Sequence, residues 1–576
     1  MSDTLGTISF ARLLDICLED YYTKGKIFEI DEKDFYKGKN DNLGINLFNE
    51  YLRTPIGPAA GPHTQLSQGI VSAYLTGARF FELKTVQVID GKQMQEMIPK
   101  PCIDVSNIGF NVEWSTELTV EEAKREYIRS SVLLQVLAKE LGLSEIKDFI
   151  FNISVGYDLK GITSEKISSF IDDLKEAKDH ETFRECIDEL TRNLARFKKF
   201  KSEDIEKISS NITNSVTVST MHGVKPEEIW DIGAHLIRNK KLHTFIKLNP
   251  TLLGFENVRK ILDDLGYTHI TIRREDFAND LQFDDAVQIV KDLIRLGKEN
   301  GVTVGIKLTN TLPVVNSGRV LQGESMYLSG KPLYPIALGV AEKFARALGA
   351  DIPISFSGGI DKNNILKLLK TGIAPVTFST ILLKPRGYIN MKGIIDKIKD
   401  ENFSLDKLNL QVIQELAEAS KTDPNYKNKG ERGVEKEDTL PTYDCFKVNC
   451  GLCVDVCPTR ANMRLYDDRF EAPYQIVHIE SRCYECGNCH TFCTRGGFPY
   501  LKKVTVFANK DEFNNSKNPG ILKLSNKKFR LRDESGKEYL YNNLVNKTDV
   551  EQRSIEKILE TLLKEYPYLL ENNNNS

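Results

Sequence analysis

Eight of the eleven cysteines in this 576-residue chain fall between 445 and 493, and only Cys17, Cys102 and Cys186 lie before them. A disulfide scaffold is short, secreted and evenly stapled, whereas this is one dense packet late in a long chain. The packet therefore predicts a metal-organised unit in a reducing compartment, and the first 440 residues must fold without its help. That length is enough for two or more units with cores of their own.

The packet has internal spacing. Cys483, Cys486, Cys489 and Cys493 form a C-x2-C-x2-C-x3-C run. In two-cluster ferredoxins such a run wraps three thiolates around one iron–sulfur cube and sends the fourth to the other cube. A partner run holds Cys445, Cys450, Cys453 and Cys457 followed by Pro458, with a longer x4 first gap. The expected ligand sets are Cys445, Cys450, Cys453 and Cys493 for one [4Fe-4S] cluster, and Cys457, Cys483, Cys486 and Cys489 for the other. Two four-cysteine zinc sites would use the same eight thiolates; the tight x2-x2-x3 wrapping favours clusters.

Upstream, short β-branched runs alternate with helical periodicity. Candidate strands cover 54–59, 80–85, 149–155, 215–220, 244–249, 268–272, 303–310, 352–357 and 374–379. Alternation of this kind predicts a parallel sheet covered by helices, an α/β (β/α)8 TIM-type barrel. Nine candidates for eight places leave one outside, either 268–272 or an edge of the first run. The expected organisation is a helical extension over 1–50, the barrel over 51–400 with a charged helical insertion near 160–210, and a polar linker over 401–440. A two-cluster ferredoxin-like domain over 441–497 and a small α+β extension over 498–570 follow.

Lys plus Arg number 78 against 81 Asp plus Glu, so no basic excess points to nucleic acid. No apolar stretch reaches membrane-spanning length and the start has no leader pattern, so the expected location is the cytoplasm. Clusters move single electrons while most organic redox reactions move two, which calls for a flavin. No G-x-G-x-x-G follows a strand, so a bound dinucleotide is not expected.

The segments IGPAAG (56–61), ELKT (82–85), FIKLNPT (245–251), KLTNT (307–311), YLSGKPLYPIAL (327–338) and PISFSGGI (353–360) together resemble the FMN barrel of dihydroorotate and dihydropyrimidine dehydrogenases. The cysteine packet resembles the paired-cluster domain of the latter. TPIGPAAGPHTQL (54–66) and STMHG (219–223) are similar to segments of a bacterial group whose members carry the name selenate reductase subunit. The resemblance implies FMN held by Ala59, Ala60 and Gly61 against the ring, by Lys84, Thr85 and Lys247, and by the loops at Gly358, Gly359, Ser379 and Thr380. It implies substrate contacts from Asn111, Asn152, Asn249, Asn310 and Thr311, the Asn-Thr pair suiting the amide edge of a planar ring. Where dihydropyrimidine dehydrogenases carry a catalytic cysteine this chain has Thr220, so Thr220 and His222 are the proton-donor candidates, with His63 a further one.

The function these features imply is an FMN and iron–sulfur oxidoreductase reducing an oxidised purine such as urate, or a pyrimidine. Its electrons would come from a separate ferredoxin or flavoprotein, because no nucleotide module is visible in the chain; a homodimer is left open. The alternative is an electron-transfer or scaffold subunit whose substrate site lies on a partner. Reduction of selenate calls for an oxygen-atom acceptor such as molybdenum, and no site for one is visible.

Overall fold

A computed structural model describes residues 5–38, 41–145, 147–219, 223–316, 321–430, 437–445, 450–542 and 550–570. Eight parallel strands form the centre: β1 Ile56–Pro58, β2 Phe80–Glu82, β3 Ile150–Gly156, β4 Ser215–Ser219, β5 His243–Leu248, β6 Val304–Leu308, β7 Ile354–Phe356 and β8 Val376–Phe378. Their order is β1-β8-β7-β6-β5-β4-β3-β2, the sequential winding of a barrel. The ring is nearly closed. At the seam the Arg79 N–H donates to Ile56 O at 2.9 Å. A Cβ at Gly57 would lie 1.7 Å from Phe80 O, so only glycine lets β1 and β2 approach this closely. Of the nine candidate runs, 268–272 forms no strand; it spans turns and irregular chain between helices.

The amino-terminal end of the barrel is stoppered by the hairpin of Ile45–Leu47 and Glu50–Leu52, which sets Phe48 and Leu52 against Phe80, Ile150 and Phe245. Beside it sits a buried ion pair. Arg79 and Asp148 have fully buried side chains with Nε to Oδ2 at 2.8 Å, and Tyr74 Oη donates to Asp148 Oδ1 at 2.9 Å. The guanidinium also donates to the Tyr74 and Ala78 carbonyls and packs 3.8 Å from the centre of the Tyr74 ring.

At the carboxyl end four short strands make an antiparallel sheet, in the order Leu312–Val315, Ser325–Ser329, Gly109–Asn111, Ile103–Asp104. The 160–210 stretch is largely helical. Its helix Glu165–Lys175 buries Ile167, Phe170, Ile171 and Leu174, packs on the barrel helix Val120–Glu140, and turns its charges outward.

Two expected boundaries differ from the structure. Within 401–440 the helix Leu410–Ser420 buries Ile413 and Ala417 and packs on the barrel helix Leu333–Leu348, while Tyr426 stacks on Tyr334 at 4.8 Å; the stretch is therefore partly barrel wall. No break occurs at 497 either. The strands β9 Asn462–Leu465, β10 Gln475–Ile479, β11 Val504–Phe507, β12 Gly520–Ser525, β13 Lys528–Arg532 and β14 Glu538–Asn542 form one six-stranded sheet, and Val477 pairs with Val504 across the expected boundary. The helix Phe10–Lys24 meets the chain's far end: Tyr568 Oη donates to Asp20 Oδ1 at 2.7 Å and Gly6 N–H to Ser481 O at 2.6 Å.

Burial sets an acid sensitivity. His63, edge-on to Tyr388 at 5.2 Å, and His478 are fully enclosed, and desolvation pulls each ring down to about 3. Below the ordinary histidine value of about 6.5 the unfolded chain takes up protons that the fold refuses, so stability present at neutral pH is lost on acidification. Each histidine contributes about 1.4 kcal/mol per pH unit over that window. Urea midpoints between pH 7 and 5 should fall less steeply in His63→Phe than in wild type; equal slopes would contradict this.

Candidate functional site

The carboxyl ends of the barrel strands open into a cavity of about 350 Å³, where barrel proteins place their ligands. All ten residues expected to hold FMN line it: Ala59, Ala60 and Gly61 after β1, Lys84 and Thr85 after β2, Lys247 within β5, Gly358 and Gly359 after β7, Ser379 and Thr380 after β8. Asn111, Asn310 and Thr311 line it too. Asn152 and Asn249 do not. Asn152 is fully buried between strands and donates to Thr217 Oγ1 at 2.7 Å, and Asn249 donates to Asp280 at 2.9 Å. His63 lies behind the wall, buried against Tyr388. Thr220 and His222 fall outside the described residues, although Ser219, just before them, lines the cavity.

The wall is cationic at its base. Lys84 Nζ pairs with Glu113 Oε2 at 3.0 Å, and both side chains are nearly inaccessible. Beneath the Ala-Ala-Gly segment, Lys307 Nζ meets Glu82 Oε2 at 3.1 Å and Ser355 Oγ at 3.1 Å, and it also donates to Thr377. The Ala60 N–H points to the same Glu82 oxygen at 3.4 Å. Burial pushes Glu82 up, but Lys307 and Lys247 outweigh it and hold the carboxyl below its ordinary value. Burial pulls Lys307 down to about 8 despite Glu82. Each of the pair favours the charged form of the other.

Glu82, Lys307, Glu113, Trp114, Tyr157 and Tyr327 were not among the expected site residues. The signal for two of them was present, because Glu82 and Lys307 are charges inside otherwise apolar strand runs, and such charges are seldom buried unless paired.

The lining suits a flavin mononucleotide. Small residues form one wall, Lys84 and Lys247 bring donors to it, and the loops after β7 and β8 close the far side. Gly359 has φ +63°, and a Cβ there would lie 2.5 Å from Gly330 O, so no larger residue fits the turn.

The cysteines gather in two places, and no disulfide joins any of them. Cys445, Cys450, Cys453 and Cys493 line a second, smaller cavity with Tyr474, Thr494 and Lys503. Cys486 lies within electrostatic reach of Cys457, Cys483 and Cys489. Backbone N–H groups already point at two sulfurs, Ala461 to Cys457 at 3.1 Å and Glu485 to Cys483 at 3.3 Å. Among the described residues no three His, Cys, Asp or Glu side chains are grouped to hold a metal ion. The second set touches the first cavity: the Cys102 and Ile103 N–H groups donate to Cys486 O at 3.2 and 3.1 Å, and Ile103 lines the cavity. Asn488 donates to the carbonyl of Leu383, another lining residue. No helix among the described residues is long and apolar enough to cross a membrane.

Eight parallel strands with a polar, cation-bearing cavity at their carboxyl ends define a TIM-barrel protein with its ligand site in the usual place. The chain belongs to the YgfK oxidoreductase family, matching "Oxidoreductase YgfK, N-terminal TIM-barrel domain" over residues 28–429. It is 38% identical over 548 residues to "Putative oxidoreductase YgfK" of Escherichia coli strain K12, and equally to that of Escherichia coli O157:H7. The match covers 89% of this chain and 52% of either relative, so the chain spans about half the length of the curated proteins it matches. Nothing in these matches carries the selenate reductase name. Among solved structures it is similar to a ligand-free DHODH from Eimeria tenella, at 15% identity and TM-score 0.40, covering 63% of this chain and 89% of that one. It is also similar to the Eimeria tenella DHODH in complex with ferulenol, at 13% and 0.38, covering 68% and 89%.

Proposed function

We propose that this chain is an FMN- and iron–sulfur-dependent oxidoreductase that reduces a double bond in a planar N-heterocycle, an oxidised purine such as urate or a pyrimidine. One observation carries the reading: ten residues from five separate strand ends, each expected at a flavin, share one cavity with the three polar residues Asn111, Asn310 and Thr311. Bound FMN supplies hydride transfer, and [4Fe-4S] clusters on the eight cysteines supply single electrons.

The chain's own residues do the rest. Ala59, Ala60 and Gly61 leave a flat wall, Lys84 and Lys247 offer cations to ring oxygens, and the turns at Gly358–Gly359 and Ser379–Thr380 hold a phosphate. Asn310 presents both a donor and an acceptor to an amide edge, and its Oδ1 already accepts from the Thr311 N–H at 3.1 Å. Thr220 or His222 delivers the proton, the imidazole being the better acid near neutral pH. Cys445, Cys450, Cys453 and Cys493 line one cavity, which is the arrangement that four ligands of one cluster require. A separate ferredoxin or flavoprotein is the proposed electron source, and the cytoplasm the proposed location.

The test is anaerobic: purified protein with reduced viologen, offered urate, xanthine, uracil, thymine and dihydroorotate in turn, with flavin and iron measured on the same sample. Dye oxidation by one of these rings is expected. A protein loaded with iron but devoid of FMN, and inert to every ring, would instead favour an electron-transfer subunit.

A further inference from the structure

Lys503 stands immediately before β11 and is fully buried. Its ammonium donates to the carbonyls of Pro441 and of Thr442, the latter at 3.2 Å, and to the thiol of Cys445. It lines the same small cavity as Cys445, Cys450, Cys453 and Cys493. Other buried lysines of this chain are paired with acids: Lys84 with Glu113, Lys307 with Glu82, Lys124 with Asp173. Among the described residues no carboxylate lies within ion-pair distance of Lys503. A buried cation is costly unless an anion offsets it, and among the described residues the groups beside Lys503 able to become anionic are the cysteines of the cavity.

We propose that Lys503 is the fixed charge that sets the redox potential of the cluster held by Cys445, Cys450, Cys453 and Cys493, making that cluster the entry point for electrons. The inference rests on the cluster reading above. Position supports it: three cysteines of this set, Cys445, Cys450 and Cys453, are partly exposed against Cys483 alone in the other, and the other set is tied to the barrel cavity through Cys486. Electrons from an external donor therefore meet this cluster first. Each electron gained adds one negative charge beside a cation held at short range in a low-dielectric wall, so the reduced form is favoured. Lys503 touches no substrate; it acts through the cluster as a positioning residue.

The experiment is a redox titration of the anaerobically purified full chain, followed by low-temperature electron spin resonance, for wild type, Lys503→Gln and Lys503→Arg. Gln keeps a donor for the 441–442 carbonyls but removes the charge; Arg keeps the charge. At the wild-type midpoint the Gln variant should show about a tenfold smaller reduced-to-oxidised ratio in one cluster, about 59 mV for one electron. The other cluster should be unmoved, and Arg should titrate near wild type. A Gln variant with full iron and unchanged midpoints overturns the proposal. One that sheds iron also overturns it, because Lys503 is then a strut of the backbone. Wild-type protein without any cluster signal overturns the underlying reading, and the proposal with it.

Discussion

Asp148→Ala should lower the free energy of unfolding by about 3–5 kcal/mol, the cost of stranding one partner of a buried pair. The carboxylate is the only acid paired with Arg79 among the described residues, and the guanidinium is fully enclosed. Arg79→Met should cost less, because Asp148 keeps the Tyr74 hydroxyl and has Arg53 at 3.5 Å. Chemical denaturation of both variants gives the order directly, and Arg79→Met proving the more damaging would contradict it. The pair lies at the amino-terminal end of the strands, away from the cavity, so the loss should fall on stability and spare ligand affinity.

On the proposed FMN reading, Gly359→Val should sharply reduce flavin retention. A left-handed β-branched residue costs about 1–2 kcal/mol, and forcing its Cβ against Gly330 O adds about 1–3 kcal/mol. Together they weaken binding by more than about tenfold. Fluorescence of flavin released from heat-denatured, anaerobically purified protein measures it. Gly349→Val is the control: φ there is +87°, but a Cβ meets nothing within 4 Å, so strain is present without the collision. Equal flavin content in the two variants would mean that the turn at Gly359 does not shape the ligand site.

The barrel was legible because parallel strands covered on both faces read as unbroken apolar runs, and eight of nine such runs became its staves. The ninth, 268–272, has the same composition, but β5 already pairs with β6, so nothing was left for it to join. The helix Leu410–Ser420 was hidden by polar neighbours, although Leu410, Ile413 and Ala417 repeat at helical spacing. Cavity residues were legible where glycine and lysine interrupt strand ends. Asn152 and Asn249 were not, since nothing in a linear pattern tells whether an amide faces a ligand or satisfies a buried neighbour such as Asp280. The continuity of the sheet across 497 depends on pairing of Val477 with Val504, a register no local motif encodes.

The clasp between the chain's two ends has a consequence for synthesis. The contact between Asp20 and Tyr568 spans 548 residues. At about 5–20 residues per second the ribosome needs roughly half a minute to two minutes to deliver the second partner after the first. Until Val376–Phe378 is made β1 also lacks its neighbour β8, and until Tyr568 follows the first helix carries Leu13, Leu14, Cys17 and Leu18 without their final cover. Chaperone occupancy of the nascent chain should therefore begin early and persist until Tyr568 has emerged, and cofactor insertion belongs after these two segments have met.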